Sequence, residues 1–99
     1  MSSYADFEAA DRRLVLLRAL EPAEQYRANA YLLRRFAEHM GHTVSADRLE
    51  QDLAWLQEQG LVVLHKAQAV TVATLTTRGL DVATGRATVP GVQRPQPEA

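Results

Sequence analysis

Apolar residues recur along this chain with two different periods. Between Tyr4 and Leu20, Phe7, Ala10, Leu14 and Leu17 stand three and four residues apart, the spacing of one helical face. Ser3 with Asp6 three residues on has the form of a capping box. Pro22 cannot continue a helix interior, so the element is predicted to stop near Leu20 or Glu21. Val15 and Leu16 fall outside the stripe, which predicts either cover by strands or contact with a second subunit. Tyr26-Arg27-Ala28 reads as a short extended bridge. Asn29 caps a second helix, Ala30 to Met40, expected to turn Leu33, Phe36, Ala37 and Met40 inward before Gly41 ends it. The third helix has both ends fixed by mechanism. Ser45 is its N-cap, and Val44 can staple onto Leu49. Leu49, Leu53 and Leu56 form its buried stripe, and Gly60 lets Leu61 fold back onto Leu56 in a Schellman closure.

The period then shortens to two. Leu61 to Leu64 and Val70 to Leu75 are short and rich in β-branched residues, predicting an antiparallel hairpin with His65 to Ala69 between the strands. Its tip lacks Gly, Asn and Asp, leaving the turn type open. Thr76 caps a short last helix through about Thr84, with Leu80 and Ala83 inward and Gly85 closing it. Two helices joined by Gly41-His42-Thr43-Val44 make a helix-turn-helix, and a hairpin directly after the second makes the winged variant. The expected fold is α+β, mainly α: a three-helix core, a β-hairpin wing and a short C-terminal helix. The domain is expected over 1–87, with 88–99 a proline-rich extended tail. Within the tail, Val89-Pro90-Gly91-Val92 is predicted to dock on a partner or second subunit, because exposed valines are unusual in a solvated linker. Disorder is expected beyond Arg94.

Composition narrows the function classes. The 46% apolar and 23% charged residues of this 99-residue chain are those of one ordinary globular domain. With no cysteine, disulfides, thiolate nucleophiles and thiolate metal sites are excluded. Apolar runs such as Leu14 to Leu17 are far short of the about 20 residues of a membrane span. The acidic start, Met1 to Asp6, is unlike a signal peptide. A cytoplasmic protein without membrane contact is expected. The net charge of -1 exerts no global pull toward DNA. Its distribution is uneven: six arginines between Arg12 and Arg35 face Glu21 and Glu24, while Asp47, Glu50, Asp52 and Glu58 outnumber Arg48 between Ser45 and Gln59.

Asp52-Leu53-Ala54-Trp55-Leu56-Gln57-Glu58-Gln59-Gly60-Leu61-Val62 resembles the recognition-helix end and first wing strand of ArsR- and MarR-type regulators. Leu75-Thr76-Thr77-Arg78-Gly79 resembles the segment that follows the wing in such proteins. The metal-sensing branch of the ArsR type uses cysteines absent here, so metal sensing is not carried over. A closer resemblance is to small winged-helix proteins of Mu-like phages and prophages. It is carried by Asp11 to Leu17, Tyr26-Arg27-Ala28-Asn29, Gly41-His42, Asp52 to Leu56 and Gly79 to Val92. That resemblance implies a phage context and a DNA-binding role, and names no ligand.

In a helix-turn-helix the second helix enters the major groove, with side chains near its N-terminus meeting base edges. The nucleic-acid-binding candidates are therefore Ser45, Asp47, Arg48 and Gln51 on the third helix, His65 and Lys66 in the wing, and Arg34 and Arg35 on the second helix. Arg48 can read guanine and Gln51 adenine, whereas Asp47, Glu50 and a partly outward Asp52 face phosphate at a penalty. The plainer alternative is a solvated helix face with Asp47 or Asp52 paired to Arg48. Arg12 and Arg13 can reinforce the wing if they share its face; otherwise they are surface charges. Trp55 is expected to pack under the wing rather than stack on a ligand. His39 and His42 stand three apart, but Gly41 interrupts the helix and only Glu38 is near, so no metal site is expected. No catalytic set, phosphate loop or cofactor motif emerges, and no enzyme is expected. Double-stranded DNA and a second copy of the chain are the expected partners. The competing reading is an adaptor in phage assembly or DNA packaging that binds another phage protein through its acidic helix.

Overall fold

A computed structural model describes residues 3–97; Met1 and Ser2 of the acidic start, and Glu98 and Ala99 of the tail, lie outside the described residues. The elements are α1 (Tyr4–Leu20), a 3-10 turn (Glu24–Tyr26), β1 (Arg27–Asn29), α2 (Ala30–His39), α3 (Ala46–Glu58), β2 (Val62–Ala67), β3 (Val70–Leu75) and α4 (Thr77–Ala83). The helix starts follow from their caps. Ser3 and Asp6 form the reciprocal box, Asn29 accepts from the Leu32 N–H, and Ser45 accepts from the Arg48 N–H. At the end of α3, the Leu61 N–H donates to the Leu56 carbonyl and the Gly60 N–H to that of Gln57, the Schellman pair.

The bridge before α2 is a strand. β1 pairs antiparallel with β3, Arg27 opposite Thr74 and Asn29 opposite Val72, so Asn29 ends a strand and caps a helix at once. The sheet order is β1-β3-β2. β2 runs on to Ala67, which places His65 and Lys66 in the ladder opposite Val72 and Thr71, not in a loop. The turn is only Gln68-Ala69, with φ of 55° and 74°. Two left-handed residues match the twist of a two-residue hairpin, here without the glycine or asparagine that usually permits it.

Leu16, Leu17 and Leu20 form one side of the core, against Leu33 and Ala37 of α2, Leu49, Leu53 and Leu56 of α3, and Leu61 and Val62. Two expectations about facing are corrected. Leu16 is fully buried, whereas Phe7 is 59% exposed. At about 100° per residue Phe7 sits nearly half a turn from the face through Leu16 and Leu20, while Leu14 and Leu17 of the predicted stripe are buried. On α2, only Leu33 and Ala37 are buried, and Phe36 and Met40 lie exposed.

The junction of α3 and α4 explains the Leu-Thr-x-x-Gly segment. Thr76 caps α4 and donates its hydroxyl to the Gly60 carbonyl at 2.7 Å, and Arg78 Nε donates to that of Gln59 at 3.1 Å. The closing carbonyls of α3 are thereby paired. A Cβ on Gly79 would lie 2.0 Å from the Leu61 carbonyl oxygen, so only glycine lets α4 sit against the start of the wing.

Packing continues past residue 87. Val89 is buried in the core and Val92 packs against it. The Gln93 N–H donates to the Ala10 carbonyl at 3.0 Å, and Arg13 Nη1 donates to that of Gly91 at 3.0 Å. The valines dock on this chain's own α1, where a partner or second subunit was expected. Among the described residues, no helix is long and apolar enough to cross a membrane.

Candidate nucleic-acid interface

α3 presents Asp47, Arg48, Gln51 and Ala54 on a face that nothing in the chain covers. Its rotation is set from the opposite side. Asp52, expected partly outward, is buried and receives Arg12 Nε at 2.5 Å and Nη2 at 3.0 Å. This forked pair ties α3 to α1 and takes Arg12 out of any basic surface. Arg13 is withdrawn as well: its guanidinium lies 4.1 Å from the centre of the Trp55 ring and holds the Gly91 carbonyl. Burial lowers the pKa of Arg13, against the opposing pull of the Asp52 charge. Trp55 therefore packs beneath Arg13 and the tail, where cover by the wing was expected; a Cβ on Gly91 would come within 2.8 Å of its ring.

A second acid of α3 is also engaged within the fold. Lys66 Nζ donates to Thr71 Oγ1 at 2.8 Å, and that hydroxyl donates to Glu50 Oε1 at 3.0 Å. Glu50 is thereby linked to a cation through a hydroxyl and anchors the wing to the helix. The excess of acid visible between Ser45 and Gln59 thus shrinks at the surface, leaving Asp47 beside Arg48 at the helix start and Glu58 at its far end. Asp47 itself accepts from the Gln51 side-chain amide at 3.4 Å. An acid in the first turn is favourable to the helix dipole, which accounts for Asp47 structurally.

The start of α2, the start of α3 and the wing turn enclose an apolar groove of about 220 Å³, walled by Tyr31, Leu49 and Val70 and edged by Arg34 and Glu50. Arg35 lies just outside, donating to the Tyr31 hydroxyl at 3.0 Å with its charge 5.8 Å from that ring. The hydrogen bond to Tyr31 raises the pKa of Arg35. The structure thus places Arg34 in this groove, Arg35 beside it through Tyr31 and Lys66 beside it through Thr71, while Ser45, Asp47, Arg48 and Gln51 lie on the adjoining exposed start and face of α3. His65 is apart, because neighbours along a strand point to opposite faces and Lys66 takes the α3 side. Tyr31 is the member that sequence reading did not single out, although its place four residues before Arg35 is the spacing of touching helical neighbours.

The two histidines do not converge on one site. His42 Nε2 is 2.7 Å from Asp11 Oδ2 on α1, while His39 is exposed. Among the described residues, no group of three or more His, Asp or Glu side chains is placed to hold a metal ion.

Three helices, the third with a free face, beside a paired hairpin define a winged-helix protein. The solved structure of hsRosR-S1 in a complex, a winged-helix protein, shares this fold with a TM-score of 0.63 and 22% identity, over 77% of this chain and 67% of that one. In sequence the chain is 45% identical over 94 residues to gp26 of Escherichia phage Mu, spanning 95% of this chain and 97% of gp26. A Haemophilus influenzae protein is 35% identical over 83 residues, 83% of this chain and 80% of that protein. Both are described only as uncharacterised proteins. No family model matches the chain. The chain belongs to the family of phage Mu gp26.

Proposed function

We propose that this chain binds double-stranded DNA, with the start of α3 in the major groove and the wing along the flanking backbone, in regulation or another DNA transaction of a phage. It does no catalysis in this reading, and it acts as a pair of copies. One observation carries the reading: the uncovered face of α3 carries Arg48 and adjoins a groove lined by Arg34, with Arg35 joined to it through Tyr31, while Asp52 and Glu50 are engaged by Arg12 and by Lys66 through Thr71. Phosphate neutralisation supplies much of the affinity of such contacts and makes them salt-dependent.

The experiment is a titration of random duplex DNA at low salt, repeated at higher salt. Binding that weakens steeply with salt is expected. Arg34→Ala should weaken binding to all sequences and reduce the salt slope by about 1. Arg48→Ala should relax discrimination at one base pair, by about 1–3 kcal/mol. Absence of salt-sensitive binding at low salt overturns the reading. The adaptor reading is favoured by the exposed Asp47 carboxylate at the helix start and by Val63, 55% exposed on the outer face of the sheet. It predicts a stable complex with another phage protein and no DNA binding.

A further inference from the structure

Pairing of copies is part of the reading above, but the surface that pairs is not, and the structure assigns one. On α1, Tyr4, Phe7, Asp11, Val15 and Arg18 fall on one side, about half a turn from the buried face through Leu16 and Leu20. On α2, Leu32, Phe36 and Met40 follow at steps of four and lie beside that stripe. Tyr4 is 78% exposed, Leu32 55% and Met40 52%, an apolar surface that this chain leaves uncovered. Between the helices runs a groove of about 390 Å³ walled by Leu14, Val15, Phe36 and Met40, with Asp11 at one end and Arg18 at the other.

We propose that this face packs against the same face of a second copy, with the two α1 helices antiparallel across a twofold axis. The charges select that occupant and that direction. Along the exposed side of α1, Glu8 and Asp11 come first and Arg18 follows. Two antiparallel copies bring Glu8 of each toward Arg18 of the other, while a parallel pair opposes like charges. Phe7 stands eight residues before Val15, about 12 Å along the helix, so each copy carries both a protruding ring and the groove that receives it. Such self-complementarity is what a twofold interface requires. Asp11, which stands nearest the twofold axis in that register, lies 2.7 Å from His42 Nε2 within its own chain. The face also leaves the candidate DNA edge free, since Arg34 and Tyr31 lie on the other flank of the buried Leu33 and Ala37 stripe of α2.

The test is run without DNA, so that it fails or succeeds independently of DNA binding. Sedimentation equilibrium of the full chain should give twice the chain mass, falling toward one on dilution. Phe7→Glu and Phe36→Lys, both at exposed positions, should raise the dimer Kd at least tenfold with unchanged circular dichroism. Glu8→Arg and Arg18→Glu should each weaken the dimer, and the two together in one chain should restore it. Because the chain lacks cysteine, Phe7→Cys mixed with Val15→Cys should give a mixed disulfide faster than either variant alone. A monomer at all concentrations, a dimer indifferent to these changes, or a monomer captured only by a different protein would overturn the proposal.

Discussion

The ion pair of Arg12 and Asp52 fixes which face of α3 looks outward, and its removal is a sharp test of the structure. Asp52→Ala leaves the Arg12 guanidinium, only 10% of whose side chain is exposed, without a counter-charge. It also removes the charge that opposes the burial of Arg13. Deleting one partner of a buried pair costs about 3–5 kcal/mol, a large part of the ~5–15 kcal/mol available to a whole domain. Urea sensitivity for a small domain is about 1–3 kcal/mol per molar, so the unfolding midpoint should fall by about 1–5 M. Replacing both groups with apolar side chains, Arg12→Met with Asp52→Leu, removes the desolvation cost together with the attraction. That double variant should lie within about 1–2 kcal/mol of the parent, far from the sum of the single losses. Urea titrations followed by circular dichroism, set out as a double-mutant cycle, give the coupling directly. A midpoint shift below ~0.5 M for Asp52→Ala, or a double variant as unstable as the summed singles, would refute the pair as described.

Other outcomes follow from single contacts. Gly79→Ala places a methyl 2.0 Å from the Leu61 carbonyl oxygen; a loss of about 3 kcal/mol or more is expected in thermal unfolding. Substituting Asn for Gln68 and Gly for Ala69 supplies residues that accept the left-handed turn at φ of 55° and 74°, and should stabilise the domain by about 1 kcal/mol. Val89→Ala should cost about 2 kcal/mol in urea unfolding. The same change should shift the Trp55 fluorescence to longer wavelength if the strap over that ring loosens.

What could be read from the chain was whatever depends on near neighbours. Caps at Ser3, Asn29, Ser45 and Thr76, the closure at Gly60, and the change of period at Leu61 each act within a few residues, and all are found. On α1 the inward Leu14 and Leu17 were legible, but the exposure of Phe7 and the burial of Leu16 were not, because they are decided by elements far away. α2, α4, the sheet and the tail wrap its second half, burying Leu16, while its first turns project beyond them and leave Phe7 exposed. The hairpin was legible, but its two-residue turn was not, for the opposite reason: Gln68-Ala69 carries no turn signature, and the strands on either side impose its conformation. At the site, the positions of Arg48 and Gln51 followed from the leucine spacing of α3. The fate of the acids did not, since Asp52 meets Arg12 forty residues away and Glu50 meets Thr71 across the wing.

The strap from Val89 to Gln93 joins the last packed segment of the domain to its first helix, through Gly91 to Arg13 and Gln93 to Ala10. During synthesis these residues leave the ribosome after every other part of the core. Until they do, Arg13 and Trp55 lack their lid and the Val89 slot is open. The nascent domain must therefore wait, incompletely sealed, until residues 89–93 emerge, and a stall before them exposes a greasy seam to chaperones and proteases alike.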